Sequence, residues 1–191
     1  MTKDDIISLP SPNLRKKSKP VKKITPEIVG VVEDMISATI SWDESRDHEV
    51  GVALAAVQID KLIRAIIVRE DYEDKENQRF NVFINPEVVK LSGDIVEDYE
   101  GCLSVPNVYG KVPRYNKAKI KALDLDGKPF TVNASGFIAR IFQHEIDHTE
   151  GCVFVDRIKE LNNAFYRLND EGKLEQLDYD KDVKDNTILW K

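Results

Sequence analysis

Apolar positions recur along this chain at two different spacings, which separate helical from extended stretches. Ile28, Val31, Val32, Met35, Ile36 and Thr39 fall at helical intervals and line one face for burial. Thr25-Pro26-Glu27 marks the start of that helix: threonine suits the N-cap, proline at the first helical position forfeits no bond, and an acid there meets the positive end of the helix dipole. Residues 41–49 are polar and charged and read as a loop. The small apolar run at residues 50–58 follows and ends abruptly in the amide of Gln58. Strands are predicted at residues 62–68 and 80–84, the second closed by the turn dipeptide Asn85-Pro86. Residues 119–125 and 129–132 flank Asp126-Gly127, the signature of a hairpin. From Gly136 to His148 the spacing of Ile138, Ile141, Phe142, Glu145 and Ile146 predicts a helix, with Asn133 or Ser135 as its cap and Gly151 as its stop. The expected fold class is α+β, with antiparallel sheets wrapped around this central helix. Beyond Asp156 the chain is charged and expected to be partly helical. A charged tail is expected from about residue 170, with residues 178–186 lacking apolar anchors.

Composition narrows the function classes. The 191 residues, 41% of them hydrophobic, suit one core, and we expect a single domain over residues 1–191 without repeats. Met1-Thr2-Lys3-Asp4-Asp5 is acidic where a signal peptide would be basic, and no apolar run approaches the roughly 18 residues that cross a bilayer. A soluble cytoplasmic protein is therefore expected, with no membrane partner. A net charge of -6 argues against general or sequence-specific nucleic-acid binding, which rewards a basic face. The local cluster of Arg15, Lys16, Lys17, Lys19, Lys22 and Lys23 could touch ribosomal RNA, although a solvated face is the plainer reading. Two cysteines, Cys102 and Cys152, make no disulfide framework.

The chemistry concentrates in Gln143-His144-Glu145-Ile146-Asp147-His148. Two histidines four apart on a helix point the same way and can share one metal ion, with the intervening glutamate beside a bound water. Buried helix histidines and a surface ion pair could produce the same pattern, but two of the chain's three histidines sit here. A third ligand decides the kind of site. The extended motif that requires a further histidine fails, because Phe154 stands at that position. Glu160 and Glu171 could serve a thermolysin-like site, and His48 lies in a polar loop. Cys152 lies roughly 9 Å along the helix axis from the midpoint of the two histidines, a gap that a sulfur bonding at about 2.3 Å cannot cover, and reads as a small buried hydrophobe. Cys102, in Tyr99-Glu100-Gly101-Cys102-Leu103-Ser104-Val105-Pro106, is better placed, since a cysteine, two histidines and one water complete a tetrahedral catalytic site.

Three separated segments, GVALAAVQ, EGCLS and QHEIDHTEG, resemble the motifs of peptide deformylases in order and spacing, and Leu9-Pro10 to Leu14-Arg15 is similar to the family's opening. The resemblance implies a deformylase fold and a hydrolase that removes the N-formyl group from the first methionine of nascent polypeptides, releasing formate. It implies Cys102, His144 and His148 as metal ligands and Glu145 as general base, then acid. It also implies that the Gln58 side chain and the Leu103 backbone N–H donate to the oxyanion. The ion would be ferrous iron, with zinc or nickel able to substitute. The peptide would add as a strand beside Val52, Ala53 and Leu54, near Glu100 and Gly101, with Val52, Phe137 and Ile141 around the methionine side chain. One departure stands out: Ala53 replaces the second glycine of the family motif, and its methyl could crowd the substrate unless the backbone there has φ below zero. Two other readings compete. A metallopeptidase would need a ligand independent of Cys102, and an inactive binding protein near the ribosome would hold metal without releasing formate.

Overall fold

The computed structural model describes residues 1–46, 49–169 and 171–190, so His48 lies outside the described residues. Helix α1 spans Pro26–Glu44 and begins at the predicted cap. It also takes in residues 41–44, which the sequence assigns to a loop. Asp43 explains the extension: it is buried, accepts the Gly51 amide at 2.5 Å, and pairs with the buried Arg69 guanidinium. A partner that distant in the chain leaves no trace in local polarity.

Strands β1 (Ala53–Ala55), β2 (Ala65–Arg69), β3 (Phe80–Cys102), β4 (Val105–Leu123) and β5 (Pro129–Ser135) are joined antiparallel. All five residues of β2 are buried, which is why its sequence shows no polar alternation. Ile66 and Val68 face one core cluster with Phe83, Ile120, Phe142 and Ile146, while Ala65 and Ile67 face another with Met35, Leu54 and Ile84. The expected stop at Asn85-Pro86 is instead a bulge. Asn85 takes φ 51°, the β3–β4 register shifts between Ile84 and Glu87, and the Asn85 side chain bonds the Val21 amide and carbonyl, each at 2.8 Å. The strand then runs on to Cys102.

Helix α2 spans Gly136–Thr149, with every residue from Ala139 to Thr149 buried. Ser135 occupies its N-cap position without a side-chain capping bond. Gly151 ends it at φ +78°, where a side chain would drive its Cβ to 2.6 Å from the Arg15 carbonyl oxygen. That contact belongs to an N-terminal strap. Its amides donate to three distant carbonyls: Ile7 to Gln58 at 2.8 Å, Leu9 to Ser104 at 2.9 Å, and Ser18 to Thr149 at 2.8 Å.

The C-terminal region is partly helical as expected but departs from expectation in its strands. After the single turn α3 (Phe154–Arg157), β6 (Phe165–Leu168) and β7 (Leu174–Gln176) form a hairpin that pairs with β4 through Tyr109 with Tyr166 and Gly110 with Phe165. A π turn at Tyr179–Val183 and α4 (Thr187–Trp190) follow. Val183 and Leu189 are buried with Phe154 and Phe165 in a third cluster, so residues 178–186 do carry an apolar anchor. Burying one such side chain contributes about 1.5–3 kcal/mol. The sheet therefore runs β1-β2-β3-β4-β6-β7 with β5 also on β4, and β1 forms one outer edge. Among the described residues no helix is long and apolar enough to cross a membrane.

Candidate active site

Helix α2 carries His144 and His148 one turn apart, and the end of β3 brings Cys102 to them. The Cys102 Sγ lies 3.3 Å from His148 Nε2, and one ligand atom from each of the three residues lies within 4.8 Å of the others. Tetrahedral bonds of about 2.0–2.3 Å place neighbouring ligand atoms roughly 3.5 Å apart, so this donor set suits a divalent ion. One orphaned atom beside the cluster supports the fit: among the described residues Glu145 Oε2 is buried without a hydrogen-bond partner. A buried carboxylate oxygen in that state is costly unless a ligand or water meets it.

Glu100 orients the cluster from behind. Its carboxylate accepts from Arg114 Nε at 2.9 Å and Nη2 at 3.0 Å and from Arg140 Nη1 at 2.7 Å, and it meets His144 Nδ1 at 2.9 Å. Engaging Nδ1 leaves His144 Nε2 for the cluster, the outer-shell arrangement that fixes a ligand histidine. Asp147, on the next turn, accepts Arg114 Nη1 and Arg157 Nη2, each at 2.5 Å. Burial alone would raise the Glu100 pKa, but His144 and Arg114 hold it far below the usual carboxylate range. Burial likewise pushes His144 down, and Cys102 and Glu100 outweigh it to hold this imidazole well above its ordinary value. His148 shifts the other way, well down, through burial and then the charges of His144 and Arg114. Burial pushes the Glu145 carboxyl up to about 7, with His144 opposing and Glu100 adding.

A cavity of about 430 Å³ opens onto these groups. Val52, Ala53, Gln58, Glu100, Gly101, Leu103, Phe137, Ile141, His144 and Glu145 all border it. Leu54 does not: its side chain is fully buried in the core beneath α1, and only its backbone belongs to the β1 edge. Gln58 is held at both ends of its amide, since Oε1 accepts the Ala55 N–H at 2.9 Å while Nε2 donates to Ser104 Oγ at 3.1 Å and faces Cys102 Sγ at 3.5 Å. A side chain at Gly101 would place its Cβ 2.9 Å from the Tyr109 ring, so only glycine lets that ring approach. Ala53 is extended, and it is not among the described residues with positive φ, which are Asp60, Asn85 and Asn107 apart from glycines. Phe137 is 43% exposed against the Tyr72 ring, whereas Ile141 is buried.

Cys152 stays outside the cluster. It is half-buried, its thiol is pushed up to about 11 by burial and Asp147, and it donates weakly to the Val153 carbonyl at 3.7 Å. Neither Glu160 nor Glu171 joins the ligand group. Arg114, Arg140, Asp147 and Ser104 escaped sequence reasoning, as did Leu168 and Leu174, which also border the cavity. Only Arg140 and Asp147, both on the motif helix, had a periodic signal.

An antiparallel sheet around a helix that carries paired histidines, with a thiol delivered from a strand end, is the architecture of a metal-dependent hydrolase. Comparison with known proteins specifies which one. Residues 3–164 match the polypeptide deformylase family. A peptide deformylase of Desulfosudis oleivorans is 34% identical over 176 residues, covering 92% of this chain and 97% of that protein. The crystal structure of a Synechococcus elongatus peptide deformylase in complex with actinonin superposes with a TM-score of 0.71 at 33% identity, covering 80% of this chain and 78% of that one. A Legionella pneumophila peptide deformylase gives 0.69 at 39% identity, covering 80% and 83%. The chain belongs to the polypeptide deformylase family, hydrolases that act on N-formylmethionyl peptides.

Proposed function

We propose that this chain works as a single catalytic domain in the cytoplasm, releasing formate from the formylmethionine of nascent polypeptides. Cys102, His144 and His148 hold one divalent ion, ferrous iron in the cell, with zinc or nickel able to replace it. The observation that carries this reading is the convergence of three ligand atoms within 4.8 Å beside the unpartnered Glu145 oxygen. Such an ion lowers the pKa of water to about 7 and so supplies a hydroxide nucleophile at neutral pH.

The chain's own groups do the rest. Glu145 takes the proton released as water attacks the formyl carbon and returns it to the departing amine, a task suited to a carboxyl poised near neutrality. Gln58 Nε2 and the Leu103 N–H donate to the oxyanion, and the bonds to Ala55 and Ser104 hold the Gln58 amide in place beforehand. The outer edge at Val52 and at Ala53 and Leu54 of β1 offers backbone groups to an added peptide strand, and Glu100 and Gly101 border the same cleft. Val52, Phe137 and Ile141 surround the methionine side chain. The exposed Lys16, Lys17, Lys19, Lys22 and Lys23 give an otherwise acidic protein a face for transient ribosome contact.

Formate release from formyl-Met-Ala-Ser by anaerobically prepared, iron-loaded protein tests the reading. Rapid release is expected, and Glu145→Gln should lower kcat by at least about 100-fold with metal content unchanged. No release from folded, metal-loaded protein would overturn it.

A further inference from the structure

The β6–β7 hairpin lies beyond the residues that match the family, yet it reaches the cleft. Leu168 and Leu174 pair across its two strands and border the same cavity as Gln58, Cys102 and Glu145. They are 39% and 36% exposed, two leucines left open inside a cleft. Strand alternation puts Tyr166 and Leu168 on one face and Arg167 on the other, where Arg167 meets Glu175 across the strands at 3.2 Å. The hairpin thus turns its ion pair away from the cleft and its apolar pair towards it. Its seat is firm: Phe165 is fully buried, Tyr166 aligns with Tyr109 of β4, and the Tyr166 and Tyr99 rings meet edge to face with centroids 5.0 Å apart.

We propose that Leu168 and Leu174 form a subsite for the residues that follow formylmethionine, selecting bulky apolar side chains over small polar ones. The proposal rests on the deformylase reading. Cavity continuity identifies the occupant. A peptide whose formyl group lies at Cys102 and Glu145 and whose methionine packs on Ile141 must leave the buried end outward, and the leucine pair lines that same cavity. Covering exposed leucines with an apolar residue removes both surfaces from water, whereas a serine gains nothing there.

The test compares formyl-Met-Leu-Leu, formyl-Met-Ser-Ser and formyl-Met-Ala on the iron-loaded protein and on a Leu168→Ser, Leu174→Ser double variant. Calorimetric binding of the deformylated products Met-Leu-Leu and Met-Ser-Ser runs in parallel. The unaltered protein should prefer the leucine peptide about tenfold in kcat/KM, chiefly through KM, the scale of a few methylenes in an apolar pocket. The double variant should reduce that ratio to about twofold by lowering kcat/KM for formyl-Met-Leu-Leu, and a Leu168→Met, Leu174→Met variant should restore the preference. An equal rate for both peptides, or a preference that survives the serine variant, overturns the subsite. Absence of formate from all three peptides overturns the deformylase reading instead, and the product affinities then decide the subsite by the same ratio.

Discussion

The two ends of the cleft are built on opposite principles. At the inner end Glu100, Arg114, Arg140, Asp147 and His144 are all buried and each is bonded to another of the set. At the outer end Phe137, Leu168 and Leu174 are exposed, and β1 leaves one edge unpaired. Charges removed from water must be positioned by one another, so a change in one is felt by all. Exposed apolar groups act singly and can change with little effect on the fold. Chemistry that depends on placement sits at the first end, and selection among substrates at the second.

The sharpest way to break this comparison is Glu100→Gln. It leaves Arg114 and Arg140 buried against a neutral amide, and should lower the unfolding free energy in urea by about 3–5 kcal/mol. Metal affinity, read by competition with a chromogenic chelator, should fall about 10- to 100-fold because His144 loses its orienting carboxylate. Equal stability losses at Glu100 and Leu168 would erase the distinction.

A smaller effect comes from Glu145 in the metal-free protein. Its folded pKa is raised from 4.5 to about 7, so the folded chain keeps a proton that the unfolded chain releases. The stability that this proton contributes is complete below 4.5 and lost as pH rises through about 7. Urea midpoints of the unaltered chain should therefore fall relative to those of Glu145→Gln across that window. Parallel curves would show that the carboxyl ionises as freely as in water.

The smallest expected change is at the outer end. Ala53→Gly should leave kcat/KM for formyl-Met-Ala-Ser within about threefold, because the native residue is already extended, and should cost about 0.5–1 kcal/mol of stability as glycine in a strand does. A large gain in rate would mean that the methyl obstructs the substrate after all.

What the sequence made legible follows the same division. His144, His148 and Cys102 could be picked out because ligand chemistry restricts residue type and, on a helix, spacing. Helix α2 could be placed because all the signals for its start, face and stop are local. The long β3–β4 ribbon could not: its bulges at Ile84/Glu87, Val88/Lys90 and Ser92/Ile95 each reset the alternation, so no phase persists long enough to read. Arg114 and Arg140 look like any other arginines until Glu100 is placed between them. Leu168 and Leu174 sit in strands of four and three residues within a charged stretch, too short for a period to emerge.

The strap from Ile7 to Ser18 has a bearing on how the segments of the cleft are held together. It is bonded to Gln58, Ser104 and Thr149, and Arg15 grips both Asp156 and the Leu189 carbonyl. Each bond closes a long loop, and the entropy of closure grows by only about 0.6 kcal/mol per doubling of length, so distance in the chain is a small penalty once the partners exist. Those partners lie in three separate parts of the site: Gln58 itself, Ser104 two residues beyond Cys102, and Thr149 at the end of the helix that carries both histidines. The same bonds that seat the strap therefore tie together the three segments on which the cleft is built.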